Sequence, residues 1–231
     1  MIKQIRKQLN AEVSLSKEQA VRFFKTGKGD YAEGDVFIGV SMPSLRKLSK
    51  KFAVASLDVL QELLHSDINE ERMLALIILA TQYVRADHQK KETLFQFYLS
   101  HLPHINNWNL VDASAHLIIG AHLWDKDRKI LLQLAQSKVM WERRVAIVST
   151  WYFIKKNDIK WTFKIADLLL TSPEDLIHKA VGWMLRETGK RNQTELEKYL
   201  DQHAVTMPRT MLRYAIEKFS EPQRKHYLAL K

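Results

Sequence analysis

Ser66-Asp67-Ile68-Asn69-Glu70-Glu71-Arg72, Ser137-Lys138-Val139-Met140-Trp141-Glu142-Arg143 and Ser172-Pro173-Glu174-Asp175-Leu176-Ile177-His178 open alike. A fourth stretch, Leu102-Pro103-His104-Ile105-Asn106-Asn107-Trp108, falls between the first two. The starts at 66, 102, 137 and 172 lie 36, 35 and 35 residues apart. Each step holds about two helices. A unit of that size cannot bury its apolar face alone, so successive units stack and share a core. The expected fold is all-α: an α-solenoid of helical-hairpin repeats that curves to present a concave face. No linker rich in Pro, Gly or Ser interrupts the chain, so residues 1–231 are expected to form a single domain.

Composition points the same way. Of 231 residues only 7 are Gly and 5 Pro, too few turn formers for a hairpin-rich β-sandwich. Apolar spacing and end signals predict helices over 16–25, from Ser41 to about Phe52, and over 57–65, 69–84, 88–102, 107–123, 127–135, 140–155, 160–170, 173–190, 194–201, 208–219 and 222–230. The stretch from Gly27 to Gly39 holds four of the seven glycines and reads as a loop. Zero Cys excludes disulfides and thiolate chemistry. No secretory signal or membrane-length apolar run is evident, and a cytoplasmic protein is expected. Lys plus Arg outnumber Asp plus Glu by 36 to 26, a net charge of +10. Such a balance in a helical protein suits a polyanionic partner, nucleic acid above all.

The repeat register exposes an anomaly. Arg72, Trp108, Arg143 and His178 align, and four residues on stand Leu76, Asp112, Ile147 and Gly182. A carboxylate where sister repeats pack apolar or small residues is expensive unless it is paired or used. Either the helix is rotated and Asp112 is exposed, or Asp112 is functional. Trp108 and Asp112, four apart, share a helix face. Arg143 and Arg144 open the next repeat's long helix beside Trp141, and Trp183 and Arg186 follow on the one after. Indoles attract cations, carboxylates stabilise positive charge and orient water, and guanidinium groups grip phosphate. No His or acid grouping has convincing metal-ligand spacing, and no P-loop, dinucleotide fingerprint or nucleophile elbow is present. No metal and no cofactor is expected.

Five segments carry a family likeness: Gly29-Asp30-Tyr31-Ala32-Glu33-Gly34-Asp35-Val36-Phe37-Ile38-Gly39-Val40, Asn106-Asn107-Trp108-Asn109-Leu110-Val111-Asp112, Trp141-Glu142-Arg143-Arg144-Val145-Ala146-Ile147, Ile177-His178-Lys179-Ala180-Val181-Gly182-Trp183-Met184-Leu185-Arg186-Glu187 and Met207-Pro208-Arg209-Thr210-Met211-Leu212-Arg213-Tyr214-Ala215. Together they resemble the bacterial DNA alkylation repair family, the HEAT-like-repeat alkylpurine DNA glycosylases. The resemblance runs over nearly the whole chain. It implies a superhelix of HEAT-like repeats with a basic concave face. It also implies hydrolysis of the N-glycosidic bond of cationic N3- and N7-alkylated purines, such as 3-methyladenine and 7-methylguanine, in duplex DNA. The bond is cut without flipping the base. By the same resemblance Asp112 matches the essential carboxylate, Trp108 and Trp183 the tryptophans near the lesion's deoxyribose, and Arg144 a phosphate contact. Arg143, Arg186, Lys179, Lys190 and Trp141 are expected along the DNA-binding surface. A monomer working on the nucleoid is the expected state.

One departure stands out. Some members have a tyrosine in the first long helix where this chain has Phe23-Phe24. Two alternatives remain: a noncatalytic binder of DNA structure on the same scaffold, and a helical-repeat scaffold for another protein. Relatives that bind DNA without excising bases lack part of the Trp/Asp/Arg set, which this chain keeps.

Overall fold

The computed structural model describes residues 1–16 and 24–230. Ala20, Val21 and Phe23, and most of the helix expected over 16–25, lie outside the described residues. The chain forms two compact units, Met1–Ile118 and Ile119–Lys231.

The first unit holds α1 (Ile2–Ala11), α2 (Met42–Lys51), α3 (Leu57–Leu64), α4 (Asn69–Arg85), α5 (His88–Ser100), a 3-10 turn at Leu102–His104 and α6 (Trp108–Ala115). Helix α4 is its axis, packed by α2, α3, α5 and α6. Its apolar residues Met73, Leu74, Leu76, Ile78 and Leu79 are all but sealed from solvent. The first turn of α4 is polar yet buried, and every member is held. Asn69 donates to Asp35, Glu70 accepts from a loop backbone, Glu71 pairs with Arg6 at 3.0 Å and Arg72 pairs with Asp35. The two carboxylates also sit where the helix macrodipole favours negative charge.

The second unit holds α7 (Lys129–Ala135), α8 (Met140–Lys155), α9 (Lys160–Leu169), α10 (Asp175–Gly189), α11 (Gln193–His203), α12 (Arg209–Ala215) and α13 (Glu221–Ala229). Helix α10 packs against α8 on one side and α12 on the other, with α7, α9 and α11 as the outer partners of the hairpins. Apolar faces meet along this stack through Val145, Ile147, Val181, Met184, Leu185 and Leu212. Two glycines let helices close up. A Cβ on Gly120 would lie 2.2 Å from the Ser149 carbonyl and 2.8 Å from Tyr152 Cβ. One on Gly182 would lie 2.5 Å from the Met211 carbonyl and 2.5 Å from Tyr214 Cβ. The same contact is thus made twice, each time onto residues three apart.

The repeat register has a physical signature. Arg72 Nη1 donates to the Ser66 carbonyl at 2.9 Å, Arg143 Nη1 to the Ser137 carbonyl at 2.6 Å and His178 Nε2 to the Ser172 carbonyl at 2.6 Å. Three aligned side chains therefore strap back onto the aligned serine six residues earlier. The straps hold the turn into helices whose N-cap positions, Ile68, Val139 and Glu174, make no capping bond of their own. Such a turn otherwise leaves its termini open.

Three expectations are corrected in detail. The N-terminal segment, where no helix is expected, forms α1, seated by the buried Ile5 and Leu9 and by the Arg6–Glu71 ion pair. The helix expected over 88–102 stops at Ser100 and a 3-10 turn follows at Pro103, which cannot donate to an earlier carbonyl. The helix expected over 107–123 is broken by a π-turn at His116–Gly120. Such bulges insert a residue where packing demands a shift of register, and here Gly120 is pressed onto Ser149. Among the described residues no helix is long and apolar enough to cross a membrane.

Candidate active site

Helix α6 begins at Trp108 and carries Asp112 one turn later, both half-buried. The two side chains line one cavity of about 660 Å³ in the first unit. Its walls are mostly apolar: Phe37 and Val40 from the glycine loop, Met42 and Leu45 from α2, Met73 from α4, with Leu15 and Phe24 also lining it; Asn69, Glu70 and Asn109 add polar groups. Phe24 stacks on Phe37 at 4.2 Å and on Trp108 at 5.3 Å. The aromatic rings thus form one continuous wall that ends at the indole.

The glycine loop is anchored as part of this site. Val36 N–H donates to the Asp67 carbonyl at 3.1 Å and its carbonyl accepts from Asn69 N–H at 2.8 Å. The Glu70 carboxylate accepts from the backbone N–H groups of Ile38, Gly39 and Val40, at 3.1, 2.9 and 3.3 Å. Three donors converging on one buried carboxylate are strong bonds, being charge-assisted. Asp35, also in the loop, accepts from Asn69 Nδ2 at 3.0 Å and Asn107 Nδ2 at 2.7 Å and pairs with Arg72. Asn109 Nδ2 in turn donates to Asn69 Oδ1 at 2.7 Å. The loop is therefore tied both to α4 and to the start of α6.

Trp108 breaks the strap pattern. At the position where its sister residues bond back to a serine carbonyl, the indole Nε1–H donates instead to the Tyr31 hydroxyl at 3.1 Å. That hydroxyl comes from the glycine loop, and nothing in the helical spacing signals it. The register does single out Asp112. Leu76, Ile147 and Gly182 at the aligned positions are buried, whereas Asp112 borders the cavity. Its charge is felt nearby. Tyr98, fully buried and bonded to Ser114 Oγ at 2.9 Å, has its pKa pushed far above the tyrosine range, mainly by burial and further by the Asp112 carboxylate.

The second unit places the remaining candidates. Trp183 meets Trp151 edge to face at 5.0 Å, and the Lys155 ammonium lies 3.8 Å from the centre of the Trp151 ring. Arg143 pairs with Glu174, and Arg186 with Glu217 and, at 3.6 Å, with Glu187. Lys179 pairs with Asp175 at 2.6 Å, and its hydrogen bond is the main reason that the Asp175 carboxyl is held below the usual range. Lys190 pairs with Glu187 at 2.6 Å. Trp141 is half-buried in the first turn of α8. Arg144 is only 5% exposed, and its Nη1 donates to the Leu176 carbonyl at 2.5 Å. It joins α8 to the first turn of α10. Exposed ion pairs are worth roughly 0–1 kcal/mol, so Lys179 and Lys190 give up their acids at little cost. Arg144 is far more committed. Among the described residues no group of His, Cys, Asp or Glu side chains is arranged to hold a metal ion.

The family described as "DNA alkylation repair enzyme" matches residues 5–219. Among solved structures, the chain is similar to "Predicted DNA alkylation repair enzyme from Enterococcus faecalis", with a TM-score of 0.67 and 18% identity over 89% of this chain and 95% of that one. That likeness speaks to the fold. No curated protein matches the chain. The all-helical repeat fold and the match along nearly its whole length mean that the chain belongs to the DNA alkylation repair enzyme family.

Proposed function

We propose that the protein is a DNA glycosylase that hydrolyses the N-glycosidic bond of cationic N3- and N7-alkylated purines in duplex DNA, leaving the base in the stack. The observation that carries this reading is the pairing of Asp112 with Trp108 on one cavity whose other walls are largely apolar, Asn69, Glu70 and Asn109 apart. An alkylated purine cation is already a good leaving group, since departure neutralises it. The protein then has to stabilise an oxocarbenium-like sugar and place a water. A carboxylate does both, and it acts most strongly where apolar walls lower the local dielectric. The indole face of Trp108 adds attraction for the positive charge. The Tyr31 hydroxyl fixes the tilt of that indole. On the second unit we assign Trp183 to the same sugar, and Arg143, Arg144, Arg186, Lys179, Lys190 and Trp141 to the DNA backbone, as the family resemblance implies. Neutral lesions lack the charge that makes the leaving group good and are not substrates.

Chromatography of bases released from methylated duplex DNA tests this. The wild type frees 7-methylguanine and 3-methyladenine and leaves abasic sites. Asp112→Asn lowers release by about a hundredfold or more, as expected when one preorganised electrostatic group is lost, and retains DNA affinity. No release with enzyme in excess favours the noncatalytic binder, and joint loss of release and affinity makes Asp112 a structural residue.

A further inference from the structure

Lys155 ends α8, and the repeat register places Lys190 at the same station on the next inner helix, 35 residues on. The two lysines are held differently. Lys190 pairs with Glu187 at 2.6 Å, just as Lys179 pairs with Asp175, Arg143 with Glu174 and Arg186 with Glu217. Lys155 is exposed and makes no ion pair among the described residues. Its ammonium lies over the Trp151 ring, 3.8 Å from the centre, and that ring meets Trp183 edge to face at 5.0 Å. A cation, an indole and a second indole thus form a continuous run within the second unit. The negative face of an indole attracts the ammonium and not the neutral amine, so the contact keeps the charge in place. It also takes over part of the water shell of the ammonium, and a charge beside low-dielectric material attracts an anion more strongly than one in bulk water.

We propose that Lys155 is a DNA-binding residue that holds the backbone phosphate next to the sugar that Trp183 faces. The inference rests on the assignment of Trp183 to that sugar and deepens it by naming the ligand, a phosphodiester monoanion. Trp151 joins the two halves of the contact: its face seats the ammonium, and its packing on Trp183 sets the ammonium beside the sugar. A phosphate here also removes a conflict of charge. A bare ammonium this close to a sugar turning positive opposes the build-up of charge, whereas an ammonium that has bound a phosphate exerts almost no net field on it. Lys155 takes no part in bond making or proton transfer.

The test uses the full chain and duplexes carrying a tetrahydrofuran abasic analogue, so that binding is read without base release. One backbone phosphate per duplex is replaced by an uncharged methylphosphonate, and affinity is measured by fluorescence anisotropy. For the wild type, replacing a phosphate that flanks the analogue is expected to weaken binding by about tenfold, the loss for a charge-assisted hydrogen bond. Lys155→Ala binds the unmodified duplex about tenfold more weakly and is then indifferent to that one replacement. Its log–log slope against salt shrinks in magnitude by about 0.9, one phosphate's worth. Lys155→Arg restores the slope and the sensitivity. Far-UV spectra like the wild type's, and sensitivity retained at the other phosphates, show that the alanine variant folds and docks normally. An unchanged salt slope, survival of every methylphosphonate effect in Lys155→Ala, or loss of an effect only at phosphates further from the analogue overturns the proposal. Base release from methylated DNA is measured alongside. Release without the Lys155 coupling refutes this contact and leaves the glycosylase reading standing, and coupling without release does the reverse.

Discussion

His104 sits in the 3-10 turn before α6, with its ring 4.2 Å from that of His65 and 6.4 Å from that of His101. Burial, and then the charges of His65, His101 and Arg72, hold its pKa below the ordinary histidine value. The folded state therefore prefers the neutral ring, while the unfolded chain protonates near pH 6.5. The stabilisation is complete above the unfolded value and is lost as pH falls through the depressed folded one. Urea midpoints measured between pH 7.5 and pH 5, in steps of about half a unit, are expected to fall more for the wild type than for His104→Gln. Equal slopes would show that the imidazole cluster is not felt by the fold. At this scale Asp112 was legible, because a repeat register compares each residue with its sisters and a carboxylate among apolar residues stands out. Tyr31 and Glu70 were not. Their roles arise only when the glycine loop comes alongside helices more than 30 residues away in sequence, and no local spacing encodes that approach.

Among the elements, the inner helices of the second unit are set by close approach. Alanine at Gly182 gains about 1 kcal/mol of intrinsic helix propensity. Against that, its Cβ meets a backbone carbonyl of α12 at 2.5 Å, and an obstacle made of backbone cannot swing aside. Overpacking of this kind costs roughly 1–3 kcal/mol or more, so the clash prevails. Chemical denaturation of Gly182→Ala is expected to show a net loss of about 2 kcal/mol, and a neutral result would mean that α10 and α12 part without penalty. Helix α8 was legible to the residue, from Met140 to Lys155. Its ends are marked by the repeated serine opening and by a lysine-rich stop. Helix α1 was missed because its apolar stripe is short, Ile2, Ile5 and Leu9 among mostly polar residues. The π-turn at His116–Gly120 was missed for a different cause. It answers to contact with Ser149, not to any preference of its own residues.

For the whole molecule, the charge of +10 is the relevant property. Affinity for duplex DNA is expected to fall linearly on a log–log plot against salt, with a slope of about −0.9 for each phosphate neutralised, hence about −5 for six. Binding that is indifferent to salt would favour a protein partner. The step of 35 or 36 residues was readable at this scale, and the family match over residues 5–219 runs through both units. The boundary between the units was not readable, since it falls inside a helix that periodicity treats as continuous. The straps from Arg72, Arg143 and His178 to serine carbonyls six residues back carry a kinetic consequence. A ring so short loses little chain entropy on closing. Each repeat can thus organise its own entrance before any remote segment arrives. Nucleation becomes a property of every repeat separately, and folding spreads from whichever repeat closes first.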